Sequence, residues 1–327
     1  MVGQSFARLI LSRTADLYTM YGIKPRIVAC LDNEGLAVAP AGLDLQRLLQ
    51  VKKAKKTVGG YERSAKFEAK QVIENMDAEV VIECSPTDLV TGEPGTAHII
   101  SAMRTGKHVI SVNKGPLALS FPSLIELANY NGVMLRFSGT VGGGTPILEF
   151  AKRCLKGDRI ISFQGILNGT TNYILSRMAE GLSYEKALDD AKSKGYAEAN
   201  PSLDIDGYDA AAKLVIMANW VMGMKVTMKD VNRVGIAGVK SADVGKAMKQ
   251  GSAVKLIATC DGKSLAVRPT EVAKTDPICV NGTLNAVTFS SEHSGQQTII
   301  GRGAGGIETA SAILRDLIEI RDTVFER

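Results

Sequence analysis

Three features of the amino-acid sequence predict an α/β fold in which a doubly wound domain is followed by an α+β domain with a mixed sheet. Strands and helices alternate over residues 1–138. The strand Ala78 to Cys84 there runs nearly continuous in valine and isoleucine, as a parallel strand covered on both faces does. Beyond the glycine-rich stretch SGTVGGGTP, residues 138–146, the alternation gives way to irregular helices and short β-rich segments. A chain of 327 residues exceeds most single domains. The expected organisation is a first domain over residues 1–138, a second over 139–300, and a C-terminal helix over 301–327 that returns to the first.

Taken in order, MVGQSFARLI opens as an amphipathic helix directly after Gly3, with Phe6, Ala7, Leu9 and Ile10 on its apolar side. A short strand spans Arg26 to Leu31 and ends in Asp32. A second covers Ala78 to Cys84, a helix Gly95 to Thr105, and a third strand His108 to Val112 leads into Asn113 and Lys114. A helix over Ser120 to Asn131 and a strand over Val133 to Phe137 complete the alternation. In such sheets ligands bind beyond the carboxyl ends of the strands, where Asp32, Ser85, Pro86, Asn113 and Lys114 fall. Gly3 matches only the third glycine of the dinucleotide fingerprint G-x-G-x-x-G of Rossmann-type domains; a strand and the first two glycines would have to lie before Met1. The expectation is therefore a nucleotide-binding domain incomplete at its N-terminus, with translation beginning upstream or cofactor binding weakened.

In the second domain a helix over Ile147 to Lys156 leads to a strand, Arg159 to Leu167, and a helix from Tyr173 to Glu180. Strands follow over Val254 to Thr259, Leu265 to Arg268, Ala286 to Phe289 and Thr298 to Ile300. The run GRGAGG, residues 301–306, opens the closing helix, and a glycine-rich turn at a helix N-terminus can receive an anion.

Composition excludes several classes. The net charge of +5 is spread along the chain apart from Lys52, Lys53, Lys55 and Lys56, a patch without interleaved aromatics, which argues against nucleic-acid binding. Five cysteines without a C-x-x-C pair read as reduced thiols of a cytoplasmic protein. The three histidines are too far apart for a zinc site. No apolar run reaches the ~18 residues of a membrane span.

The most informative stretch is GYAEANPSLDIDGYDAAAK, Gly195 to Lys213. Downstream of Asp206, expected as an N-cap, the residues are apolar through Trp220, the pattern of a buried helix. Asp209 and Lys213 lie four apart and share a face. Glu198, Asp204, Asp206 and Asp209 form a site for a cation such as an ammonium group. A lysine set among apolar residues is suited to proton transfer.

On these residues the chain resembles homoserine dehydrogenase. The resemblance is carried by SVNKGPLAL (111–119), VGGGTPI (141–147), GILNGTTNYIL (165–175), the 195–213 stretch and the closing GRGAGGIETASAILRDL. It implies NAD- or NADP-dependent interconversion of aspartate 4-semialdehyde and homoserine by a cytoplasmic homodimer. It further implies a catalytic Lys213 beside Asp209, substrate held by Glu198, Asp204, Asp209, Gly169 and Thr170, and Lys114 touching both substrate and nicotinamide. The cofactor residues implied are Gly3, Asp32, Ser85, Pro86, Asn113, Lys114, Gly195 and Gly303. Asp32 suits the ribose hydroxyls of NAD, whereas the Lys52 to Lys56 cluster suits a 2′-phosphate. Backbone carbonyls of Val141, Gly143 and Thr145 are implied in holding a monovalent cation, sodium or potassium, although Ser138 stands where many members carry a glutamate. The chain ends soon after the last helix, so no appended regulatory domain is expected. A catalytically silent, ligand-binding descendant and an oxidoreductase of a related β-aldehyde are the alternative readings.

Overall fold

The computed structural model describes residues 1–61 and 67–325. The chain divides into two compact units, one formed by residues 1–116, 122–139 and 306–327, the other by 117–121 and 140–305.

The first unit opens with α1 (Val2–Tyr21), then β1 (Ala29–Asp32) and β2 (Gly35–Val38), α2 (Leu45–Lys55) and α3 (Ala69–Asn75). It continues through β3 (Val80–Glu83), α4 (Gly95–Arg104), β4 (His108–Ser111), α5 (Lys114–Tyr130) and β5 (Leu135–Arg136). Strands β3, β4 and β5 form a parallel sheet in that order, the Rossmann-like arrangement expected from their valine-rich runs. The first strand departs from expectation. It forms an antiparallel hairpin with β2, Asp32 pairing with Gly35, and is not hydrogen-bonded to β3. The cause is a two-residue turn whose Glu34 amide donates to Asp32 Oδ1 at 3.0 Å, which folds the strand back on its neighbour in sequence. The expected helix at Ser120 begins earlier, at Lys114, because Asn113 caps it by accepting from the Gly115 amide; Ser120 marks a kink two residues before Pro122.

The second unit contains α6 (Ile147–Glu149), which passes into a π-helical turn, then β6 (Ile160–Ile166), α7 (Gly169–Ala179), α8 (Tyr184–Ser193), α9 (Ser202–Ile205) and α10 (Tyr208–Met222). After these come β7 (Val231–Arg233), α11 (Ser241–Lys249), β8 (Ser252–Cys260), β9 (Leu265–Ala273), β10 (Leu284–Ser291) and β11 (Gly295–Arg302). Its six-stranded sheet has the order β11-β10-β6-β8-β9-β7 and is mixed, since β7 runs parallel to β9 and the other neighbours are antiparallel. The apolar run from Ala210 to Ala218 is buried throughout, as a helix apolar on every side must be. Asp206 does not cap α10, contrary to expectation. It ends α9, and Gly207, at φ 80, supplies the left-handed residue that turns the chain into α10.

The closing helix α12 (Gly306–Phe325) belongs to the first unit, where Ala310, Ile313, Leu314 and Ile320 share an apolar cluster with Phe6, Ile10 and Leu17 of α1.

Candidate active site

The centre of the second unit is assembled where β6 ends and α7 and α10 begin. Lys213, one turn into α10, is 7% exposed. Its ammonium donates to Asp209 Oδ2 at 2.7 Å and to the Leu167 carbonyl at 2.7 Å. Asn168 caps α7, its Oδ1 accepting from the Thr171 amide, while its Nδ2 donates to Asp204 Oδ1 at 2.7 Å and Asp209 Oδ2 at 2.9 Å. One amide thus draws together two carboxylates from different helices, with the lysine joined through Asp209.

With both carboxylates ionised the cluster carries one negative charge in excess, which favours a cationic ligand. Burial raises the pKa of Asp204, and the nearby Asp209 charge raises it further; the hydrogen bond donated by Asn168 opposes this. An ammonium group placed here relieves that repulsion. An ammonium has three N–H donors, and Lys213 uses two of them on Asp209 and Leu167, leaving one for a ligand oxygen.

Of the other implied substrate residues, Gly169 and Thr170 form the first turn of α7. The Thr170 hydroxyl donates to the Tyr196 carbonyl at 2.8 Å and brings the 195–200 loop to this turn. Glu198 lies on that loop, exposed, and its carboxylate does not join the cluster; Gly195, at φ 72, begins the loop after α8. Asn168 was not singled out in sequence as a site residue. The signal available was an asparagine between an apolar strand and the helix-initiating Gly-Thr-Thr, the position of an N-cap.

In the first unit, the residues at the strand ends converge. Asn113 is 1% exposed, and its Nδ2 donates to Ser85 Oγ at 3.2 Å and to the Pro86 carbonyl at 3.3 Å. Lys114 follows as the first residue of α5. Gly3 lies in the first turn of α1, close enough that a Cβ there would meet Cys84 Sγ at 3.4 Å. Buried Glu83 accepts from the Ser85 amide at 2.7 Å and pairs with His98 at 2.6 Å, which orients the turn after β3. A helix N-terminus and polar groups beyond parallel strand ends fit a dinucleotide.

Asp32 is heavily engaged. One oxygen accepts from the Glu34 amide and the Thr57 hydroxyl, the other from the Val58 amide at 2.7 Å and Lys52 Nζ at 2.6 Å. Burial acts to raise its pKa, but the hydrogen bonds from Lys52, Thr57, Val58 and Glu34 prevail and hold it at about 2.

The implied cation set has no carboxylate at residue 138. Ser138 offers a hydroxyl rather than a carboxylate, and that hydroxyl accepts from the Arg315 guanidinium at 3.2 Å. The carbonyl of Thr145 accepts from the Ile147 amide at 2.8 Å. No cation enters the chemistry below. Among the described residues no cluster of three His, Cys, Asp or Glu side chains could hold a metal, and no helix is long and apolar enough to cross a membrane.

Comparison with known proteins decides between the readings. Residues 1–138 match the NAD-binding domain model of homoserine dehydrogenase, and residues 146–318 match the homoserine dehydrogenase model itself. The chain belongs to the homoserine dehydrogenase family. It is 43% identical to the homoserine dehydrogenase of Methanocaldococcus jannaschii, over 98% of this chain and 95% of the relative. It is 38% identical to an NAD(+)-dependent homoserine dehydrogenase of Pseudomonas canavaninivorans, over 98% and 94%. The crystal structure of a putative homoserine dehydrogenase from Archaeoglobus fulgidus superposes with a TM-score of 0.90 at 38% identity, covering 98% of this chain and 96% of that one. A hyperthermophilic archaeal homoserine dehydrogenase in complex with NADPH gives 0.87 at 26% identity, covering 98% and 95%. As a homoserine dehydrogenase the chain is an NAD(P)-dependent oxidoreductase that interconverts aspartate 4-semialdehyde and homoserine, a step of amino-acid biosynthesis. A silent descendant is not favoured.

Proposed function

We propose that Lys213 is the proton-transferring residue of this homoserine dehydrogenase, and that Asn168, Asp204 and Asp209 form the seat of the amino-acid substrate. The observation that carries the reading is the N–H left over on Lys213 within a cluster of net negative charge. The substrate ammonium is bound by Asp204, with Glu198 closing over it from the 195–200 loop. The substrate carboxylate is received by the first-turn N–H groups of Gly169 and Thr170, which a helix N-terminus leaves unsatisfied. When bound, the nicotinamide supplies a hydride to the aldehyde carbon, or accepts one from the alcohol carbon. Lys213 donates its remaining proton to the aldehyde oxygen in reduction; in oxidation its neutral amine takes the hydroxyl proton. Asp209 orients that amine through the 2.7 Å hydrogen bond it accepts. Lys114 is assigned to both substrate and nicotinamide, and Gly3, Ser85, Pro86, Asn113, Gly195 and Gly303 to the nucleotide.

Cofactor preference is assigned to the Asp32–Lys52 pair at the end of β1, separated by 2.6 Å. The carboxylate suits ribose hydroxyls, and the ammonium suits a 2′-phosphate. Comparing kcat/KM for NAD and NADP in Asp32→Asn and Lys52→Met reads which partner governs the choice. The enzyme is further proposed to be a homodimer assembled through the sheet of the second unit, whose edge strand β11 exposes Ile300. It is placed in the reducing cytoplasm, in keeping with five free thiols. Light scattering after gel filtration tests the dimer.

The deciding assay follows nicotinamide oxidation with aspartate semialdehyde. The wild type is expected to turn over, and Lys213→Ala to lose that activity while keeping its circular dichroism. Near-native rates in the variant would remove Lys213 from the mechanism.

A further inference from the structure

A second buried lysine has no part in the chemistry above. Lys255, within β8, is 1% exposed. Its ammonium donates to Asn172 Oδ1 at 2.9 Å, Asn281 Oδ1 at 3.0 Å and Ser176 Oγ at 3.3 Å. All three acceptors are neutral. A buried charge without a counter-ion is strongly disfavoured, and a methionine would fill the same space without that penalty. Burial drives the Lys255 pKa down from 10.5 to about 8; the neighbouring Cys279 thiol is the titratable group that opposes the shift.

The acceptors belong to two segments that also bind each other. Asn172 and Ser176 are successive turns of α7, and Asn281 begins the segment leading to β10. Asn172 Nδ2 donates to the Leu284 carbonyl at 2.9 Å, and Ser176 Oγ accepts from the Gly282 amide at 3.2 Å. Gly169, at the start of α7, packs so closely on this segment that a Cβ would lie 2.6 Å from the Thr283 carbonyl oxygen. The ammonium therefore sits at the junction of β8, α7 and the 281–284 segment. One turn before Asn172 on the same helix stands Asn168, whose amide holds Asp204 and Asp209.

We propose that Lys255 is a positioning residue for homoserine: by gathering Asn172, Ser176 and Asn281 onto one ammonium it fixes the height and rotation of α7. It thereby fixes the point at which Asn168 holds the two carboxylates and at which Gly169 and Thr170 present their amides. The inference rests on the reading of that cluster as the substrate seat. Its action requires the charged form, because the neutral amine keeps only two donors for three acceptors.

The test compares wild type, Lys255→Met and Asn281→Asp in steady-state homoserine oxidation between pH 6.5 and 10, with nucleotide KM measured alongside. In Lys255→Met the kcat/KM for homoserine is expected to fall about tenfold to a hundredfold, the scale of a sub-ångström misplacement, with nucleotide KM within about twofold. The wild-type profile should fall in a step at pH about 8 that is absent from Lys255→Met, which keeps only the fall, common to all variants, as the homoserine ammonium loses its proton. In Asn281→Asp the step should move to higher pH, because a carboxylate beside the Lys255 ammonium holds its proton. A role in stability alone would lower melting temperature and leave the pH profile in place. If Lys255→Met does not fold, the shift in Asn281→Asp decides. Wild-type turnover with a profile that neither substitution moves overturns the inference alone, whereas absence of wild-type turnover with homoserine overturns the reading of the site as well.

Discussion

Lys213 and Lys255 are almost equally hidden, at 7% and 1% exposure, yet their surroundings give them different capacities. Lys213 has a carboxylate and one carbonyl as partners and retains one N–H. Lys255 has three neutral oxygens and retains none. Burial therefore does not distinguish the lysine proposed to move a proton from the one proposed to hold structure. The donors left after internal hydrogen bonding do, together with the presence of a carboxylate partner.

The largest effect that could break this contrast is in Lys213→Ala, for which kcat is expected to fall about a thousandfold, as for loss of a general acid. Nucleotide affinity, read by fluorescence titration, should be unchanged. A smaller effect is expected in Asp204→Asn, with KM for homoserine raised about thirtyfold on loss of a carboxylate facing an ammonium. The pH dependence sharpens this prediction. The Asp204 pKa is raised by burial and by Asp209, so wild-type kcat/KM should climb as pH rises through that value, while the asparagine variant stays flat there. Asn168→Ala should lower stability by about 1 kcal/mol through the lost cap. It should also lower kcat/KM about tenfold by releasing the two carboxylates, measured by denaturant titration and steady-state kinetics.

A third lysine, Lys52, extends the comparison to a site that is partly open to solvent. Its partner Asp32 has a folded pKa of about 2, below the ordinary 3.8. A depressed carboxylate pKa contributes stability that is present above pH 4 and lost as pH falls toward 2. Lys52→Met should lower stability at neutral pH by only about 1 kcal/mol, the scale of a partly exposed pair. Acid titration of the melting temperature should be shallower in the variant, and an unchanged slope between pH 4 and 2 would count against the pair.

The parts of this site that were legible in sequence are those set by local spacing. Asp209 and Lys213 meet because residues four apart share a helix face, and α10 is buried because it is apolar all round. The parallel strands β3 and β4 were visible in their valine runs for a similar reason. What could not be read depends on distant partners or on competing local signals. Asp206 looked like a cap, but Pro201 begins a short helix that uses Asp206 as its end, and Gly207 takes over the turn. The strand before Asp32 reads alike whether it joins the main sheet or folds onto β2, and the Asp32 turn chooses the latter. Lys255 gives no sequence signal beyond one charge in a core strand, because its partners lie 83, 79 and 26 residues away.

The joining of α1 to α12 bears on how the protein is made. The second unit, residues 117–121 and 140–305, is complete in sequence before α12 is made and can collapse while synthesis is still in progress. The first unit must wait, since Phe6, Ile10 and Leu17 are completed by Ala310, Ile313 and Ile320, about three hundred residues later. On the ribosome the nucleotide-binding half is begun first and finished last. During that interval its apolar α1 face is uncovered and open to chaperones, so a stalled chain ending before Gly306 would carry a folded second unit and an unfinished nucleotide-binding half.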